Sequence, residues 1–187
     1  MGLVKLGAYI TLSELRNNDD VYSDTAVVGL STAKQIINTK ANLDGVSMAS
    51  YKLLPPHHFA YVPDTSRRGE KMSLGYNITE QTFLVSSISV VFIVSDTEKL
   101  NSDYLYMYFN RPEFDRYARF HSWGSAREAF SWDDMCDIVI NLPPRAIQEK
   151  FSKTYMAIMG NENYKIRLGN VASILIKGSL EEAKAVV

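Results

Sequence analysis

The sequence predicts an α+β fold, in which a domain with a curled, partly barrel-like β-sheet and peripheral helices over residues 1–144 is followed by a long C-terminal helical arm over 145–187. Three observations predict it. Short runs of β-branched and aromatic residues recur between Gly, Pro, Asn and Asp punctuation. Two stretches in the middle of the chain carry helix start and stop signals. After Pro143-Pro144 the chain turns to helix formers and contains no further proline.

Taken in order, strands are expected at 27–30, 48–54, 59–61, 72–76, 82–85, 89–94 and 138–142, with a short helix at 32–39. Ser102-Asp103 can cap a helix carrying Leu105, Tyr106 and Phe109. Asn110-Arg111-Pro112 ends that helix, because proline disfavours the helical region at the residue before it. Pro112 then suits the first position of a second helix running to Phe120, with Glu113 and Asp115 in its N-terminal turn. Ser131 followed three residues later by Asp134 approximates a capping box. Tyr104, Tyr106, Tyr108 and Tyr117 fall at helical spacing and read as core and interface rather than as base-stacking groups.

Beyond Pro144, the apolar residues Ile147, Phe151, Tyr155 and Ile158 recur along one helical face. Gly160, Asn161 and Asn163 interrupt the register, and Ile166, Leu168, Val171, Ile174 and Leu175 resume it. Such a stripe either folds back on the domain's own core or pairs with another helix. Its length, beyond a domain already complete, favours pairing.

A chain of 187 residues with 46% apolar and 22% charged residues matches one globular domain with an appendage. The single cysteine, Cys136, leaves no intramolecular disulfide, and the chain opens without a leader-like segment, so a cytoplasmic location is expected. The apolar run at 83–94 is broken by Ser86, Ser87 and Ser89 and falls short of the roughly 20 residues a membrane helix needs. A net charge of −1 gives no global attraction to nucleic acid. The charge is uneven, however. Arg67, Arg68 and Lys71 cluster, Arg111, Arg116, Arg119 and Arg127 fall within another short span, and Asp19, Asp20 and Asp24 gather elsewhere.

Enzyme signatures are missing from the sequence. His57, His58 and His121 match no metal-ligand spacing, and one cysteine supplies no zinc site. There is no dinucleotide fingerprint, Walker loop or nucleophile elbow. Asn141-Leu142-Pro143-Pro144 departs from the base-holding motif of amino-methyltransferases, which has no intervening leucine and ends on an aromatic. The adjacent Asp133-Asp134 lacks the spacing of a nuclease centre. No catalytic residue, metal or cofactor is assigned.

Binding chemistry is better represented. In Gly124-Ser125-Ala126-Arg127 the glycine allows close backbone approach, the serine can donate to a phosphate, and arginine can take a phosphate or a guanine edge bidentately. Arg127 is equally suited to a salt bridge with Glu128. The composition of Arg67-Arg68-Gly69-Glu70-Lys71 favours an exposed loop.

The run from Trp123 through Gly124-Ser125-Ala126-Arg127, Ser131-Trp132-Asp133-Asp134, Ile138-Val139-Ile140-Asn141-Leu142-Pro143-Pro144 and Gln148 resembles the end of a target recognition domain in the specificity subunit of type I restriction-modification systems. The likeness extends to Arg111-Pro112-Glu113-Phe114-Asp115-Arg116 and more loosely to Val4-Lys5-Leu6-Gly7 and 67–74, and so covers most of the chain. It implies a non-catalytic DNA reader that carries an adenine methyltransferase subunit and, through the complex, a restriction subunit to a bipartite site on double-stranded DNA. It also implies one domain and one spacer helix, where the full subunit has two of each. On this reading Arg67, Arg68, Lys71, Ser125 and Arg127 are the expected DNA contacts. Ile147, Phe151, Tyr155, Ile158, Leu168, Val171 and Leu175 are the expected arm interface, for a homodimer or the modification subunit. Two other readings stay open: the recognition domain of a single-chain restriction-methylation enzyme, and a protein-interaction module without DNA binding.

Overall fold

The computed structural model describes residues 2–65, 71–124 and 128–160. Its framework is a four-stranded antiparallel sheet in the order β2 (Ile10–Leu12), β9 (Val90–Val94), β6 (Phe59–Tyr61), β7 (Leu74–Tyr76). Three two-stranded ladders surround it: β1 (Gly2–Lys5) with β10 (Val139–Leu142), β3 (Val28–Leu30) with β4 (Ile36–Asn38), and β5 (Lys52–Leu54) with β8 (Phe83–Val85). Every ladder is antiparallel. The sheets do not close into a barrel among the described residues, which corrects the barrel-like expectation. These strands are three to five residues long, too short to run continuously around one cylinder.

Aromatic packing makes the centre. Phe59 stacks on Tyr76 at 4.4 Å and on Phe92 at 5.1 Å, and Phe109 meets it edge-on at 5.8 Å. Phe109 belongs to helix α1 (Ser102–Phe109), and Phe114, 4.7 Å from it, to α2 (Pro112–Phe120). The two helices are thereby fastened to one face of the sheet. The hairpin β3–β4 approaches β7 closely because residue 75 has no side chain. A Cβ on Gly75 would lie 2.8 Å from Leu30 Cδ2 and 2.9 Å from Ile36 Cγ1. Gly7 does the same for α3 (Trp132–Asp137), where a Cβ would meet that of Cys136 at 2.7 Å.

Helix starts follow local chemistry. Pro112 opens α2 as expected. Ser131 and Asp134 exchange both bonds of a capping box at the start of α3. The cap of α1 is Asn101, one residue before the expected Ser102, and its side chain accepts from the Tyr104 N–H at 2.8 Å.

Two expectations are corrected. Residues 32–39 do not form a helix. They make a turn with Lys34 in the left-handed region (φ 61°) and then β4, where the β-branched Ile36 and Ile37 pair with β3. Of the strand expected at 48–54, only Lys52–Leu54 is extended; Met48 to Tyr51 form a turn closed by the Tyr51 N–H to Met48 C=O bond. β1 and β2 are strands that the punctuation pattern did not indicate.

The last described element is α4 (Arg145–Met159), which packs on α1. Its innermost side chains are polar: Gln148 and Ser152 are buried. β1 pairs with β10 directly before α4, so the start of the chain and the base of α4 share one ladder.

Candidate functional site

The described residues that flank the two basic stretches of the sequence meet in the fold. Thr65 is buried, and both its N–H and its hydroxyl donate to the Glu128 carbonyl, at 3.0 and 3.2 Å. Asp64 pairs with Ala129, and Ala129 pairs in turn with Trp123 through bonds of 3.1 and 2.9 Å. Phe130 N–H donates to the Pro63 carbonyl at 3.0 Å. The segments flanking 66–70 and 125–127 therefore form a small three-segment ladder, although 63 residues separate Thr65 from Glu128.

Of the expected DNA contacts, Arg67, Arg68, Ser125 and Arg127 lie outside the described residues. Lys71 is described. It is exposed and lines a cleft with Arg116 of α2. Glu128, the residue available to Arg127 for a salt bridge, is ion-paired with Arg119. Beside the stems two aromatic side chains stand in solvent: Trp123 is 66% and Phe120 73% exposed. The anchoring set of Thr65, Glu128, Ala129 and Trp123 was invisible in the sequence, since only the tertiary fold brings its members together.

A buried ion pair joins the β3–β4 turn to α2. Lys34 Nζ lies 2.5 Å from Asp115 Oδ1. Lys34 also donates to the Met72 carbonyl at 2.8 Å, and the Met72 N–H donates to Asp115 at 3.0 Å. Burial pushes the Lys34 ammonium below its ordinary pKa, while the hydrogen bond and charge of Asp115 oppose that shift. The Tyr106 hydroxyl donates to the Lys34 carbonyl at 2.8 Å and ties the turn to α1. A lysine after Thr-Ala in a stretch read as helical gave no sign of this role.

On the arm, Ile147 and Phe151 are exposed, Phe151 by 55%. Tyr155 is half-buried on the domain's own core, its ring 6.4 Å from that of Tyr106, and Ile158 is half-buried. The expected stripe is thus split between a face turned to the domain and a face turned outward. Leu168, Val171 and Leu175 lie outside the described residues. No group of three His, Cys, Asp or Glu suited to a metal occurs among the described residues. His121 stacks on Tyr117 at 4.2 Å. No helix among the described residues is long and apolar enough to cross a membrane.

No family model matches the chain, and no curated protein matches it. Solved structures do. A chain from a type I R-M system, described for its complex assembly and conformational transition, aligns over 97% of this chain at 14% identity with a TM-score of 0.52. The type I restriction-modification S subunit from M. genitalium aligns over 97% at 11% identity with a TM-score of 0.51. The chain has the fold of a type I specificity subunit. It spans 43% of the length of each of these two structures. On that fold, Phe120 and Trp123 beside the paired segments and Ile147 and Phe151 on α4 are large apolar side chains left exposed.

Proposed function

We propose that this chain reads DNA as part of a type I restriction-modification specificity subunit, directing an adenine methyltransferase and a restriction subunit to a bipartite site without catalysing either reaction. The observation that carries the reading is the hydrogen-bonded pairing of the two loop stems at Thr65 and Glu128, on a fold shared with specificity subunits. Two basic segments whose flanking residues are paired can enter one groove together, with arginines reading base edges or gripping phosphates. Residues 1–144 form the reader and 145–187 the arm. Ile147 and Phe151 of the arm meet a second helix, from another copy or from the modification subunit. A symmetric pair would present two identical readers and select a split palindrome. The location is cytoplasmic, beside the DNA.

The test is duplex binding at low salt by the wild-type chain and by Arg67→Ala/Arg68→Ala/Arg127→Ala. The wild type binds weakly and loses affinity as salt rises. The triple variant binds more weakly with an unchanged melting temperature. Equal affinity would refute these contact residues, and failure of the wild type to bind at any salt would refute the reading.

A further inference from the structure

A cleft of about 280 Å³ opens between the β3–β4 turn and the start of α2. Its polar lining is Thr32, Lys34, Lys71, Asn110, Asp115 and Arg116. The floor is the Lys34–Asp115 pair, whose side chains are 3% and 15% exposed. The pair grips a single residue from both ends, Asp115 accepting the Met72 N–H and Lys34 donating to the Met72 carbonyl. Burying an ion pair is a poor way to gain stability, since an apolar pair of similar volume often does as well or better. What this pair supplies is geometry, because a main chain held at both its N–H and its carbonyl cannot rotate, and Lys71 precedes it directly.

Lys71 is exposed and has no ion pair among the described residues. Arg116 bonds Glu113 at 3.0 Å, but both side chains are largely solvated. Such a surface pair contributes little and yields readily to a stronger anion. Among the described lining residues the one carboxylate, Asp115, is already engaged by Lys34. Two cations from separate elements therefore face a recess whose acidic group is neutralised.

We propose that this cleft seats a backbone phosphate of duplex DNA between Lys71 and Arg116, with Lys34 and Asp115 as the positioning pair that aims Lys71. The inference rests on the DNA-reading proposal and adds to it a contact independent of sequence. A concave cationic seat suits a tetrahedral anion, whereas base edges are reached by side chains that project into a groove. Such a contact fixes register while the loops read sequence.

The experiment is the affinity of the full chain for a fluorescein-labelled random-sequence duplex across a series of KCl concentrations. Lys71→Ala/Arg116→Ala is expected to bind about tenfold more weakly at low salt, and the slope of log affinity against log salt becomes shallower by about one unit for each phosphate-binding cation removed. Lys71→Arg/Arg116→Lys restores most of the affinity. An unchanged slope overturns the phosphate seat while leaving DNA reading intact; a wild-type chain that never binds overturns both. For the positioning pair, Asp115→Asn weakens binding in the wild type and has no further effect in Lys71→Ala. Additive losses overturn that role. If Asp115→Asn does not fold, Lys34→Arg, which keeps the charge but alters the reach, serves in the same comparison.

Discussion

The Asn101 N–H donates to the side-chain carbonyl of Gln148 at 2.9 Å, joining the cap of α1 to the first turn of α4 across 47 residues of sequence. The same Gln148 amide donates to the Lys99 carbonyl at 2.7 Å and to the Pro143 carbonyl at 2.8 Å. One fully buried side chain thus holds the loop before α1, the strand exit and the helix together. It fastens the first turn of α4 to the rest of the fold.

Replacing Gln148 by Leu leaves the Pro143 carbonyl unpaired in a buried site and the Lys99 carbonyl and Asn101 N–H unpaired in partly buried ones. Each unsatisfied group costs about 1–3 kcal/mol where water cannot reach it. Gln148→Leu is expected to lower unfolding stability by about 3 kcal/mol in urea titration, and Gln148→Glu to do no better, because a carboxylate cannot donate to the two carbonyls. A loss below about 1 kcal/mol would mean that α4 is not held at this point.

The Lys34–Asp115 pair should show the asymmetry of buried charges. Lys34→Met alone leaves the Asp115 carboxylate short of its cation and is expected to cost about 3–5 kcal/mol. Lys34→Met/Asp115→Leu should cost clearly less than the sum of the single changes. A double-mutant cycle in denaturant measures this, and strict additivity would contradict the contact.

Gly75→Val tests the close seat of the β3–β4 hairpin on β7. The added carbons meet Leu30 and Ile36 at distances no packed side chain tolerates. A loss of about 1–3 kcal/mol is expected from overpacking. Wild-type stability in this variant would show that the hairpin can shift away freely.

Tyr155 gives α4 a pH dependence. Burial on the core, and secondarily the neighbouring Tyr106, push its hydroxyl up to about 12. The pKa is raised in the folded state, so the contribution to stability is complete below the unfolded value near 10 and is lost as pH rises towards 12. The difference in stability between wild type and Tyr155→Phe should therefore be flat below pH 10 and move against the wild type above it. A flat difference through pH 12 would place Tyr155 in solvent.

Local signals carried part of this fold in the sequence. Pro112 marked the first residue of α2, and Ser131 with Asp134 marked α3, because both act within one helical turn. Thr32-Ala33-Lys34-Gln35 looked helical, yet its conformation is decided from outside, by Asp115, Met72 and Tyr106 reaching Lys34. Gln148 was noticed only for its place after Pro143-Pro144. Its partners Lys99 and Asn101 are nearly fifty residues away, and no periodicity reports them. On the candidate site, composition marks the two basic stretches, and only tertiary pairing at Thr65 and Glu128 brings the residues that flank them together. The arm's apolar stripe was legible, whereas its division between the Tyr106 side and solvent required the packed helix.

The most direct measurement is the light-scattering mass of the chain mixed with a type I methyltransferase subunit, followed by a shift assay of the mixture on duplex DNA. A stable complex that shifts duplex more strongly than either component alone is the predicted result, with Phe151→Asp weakening the association. Two separate masses, and a mixture that shifts DNA no better than the methyltransferase by itself, would contradict the role as a specificity subunit.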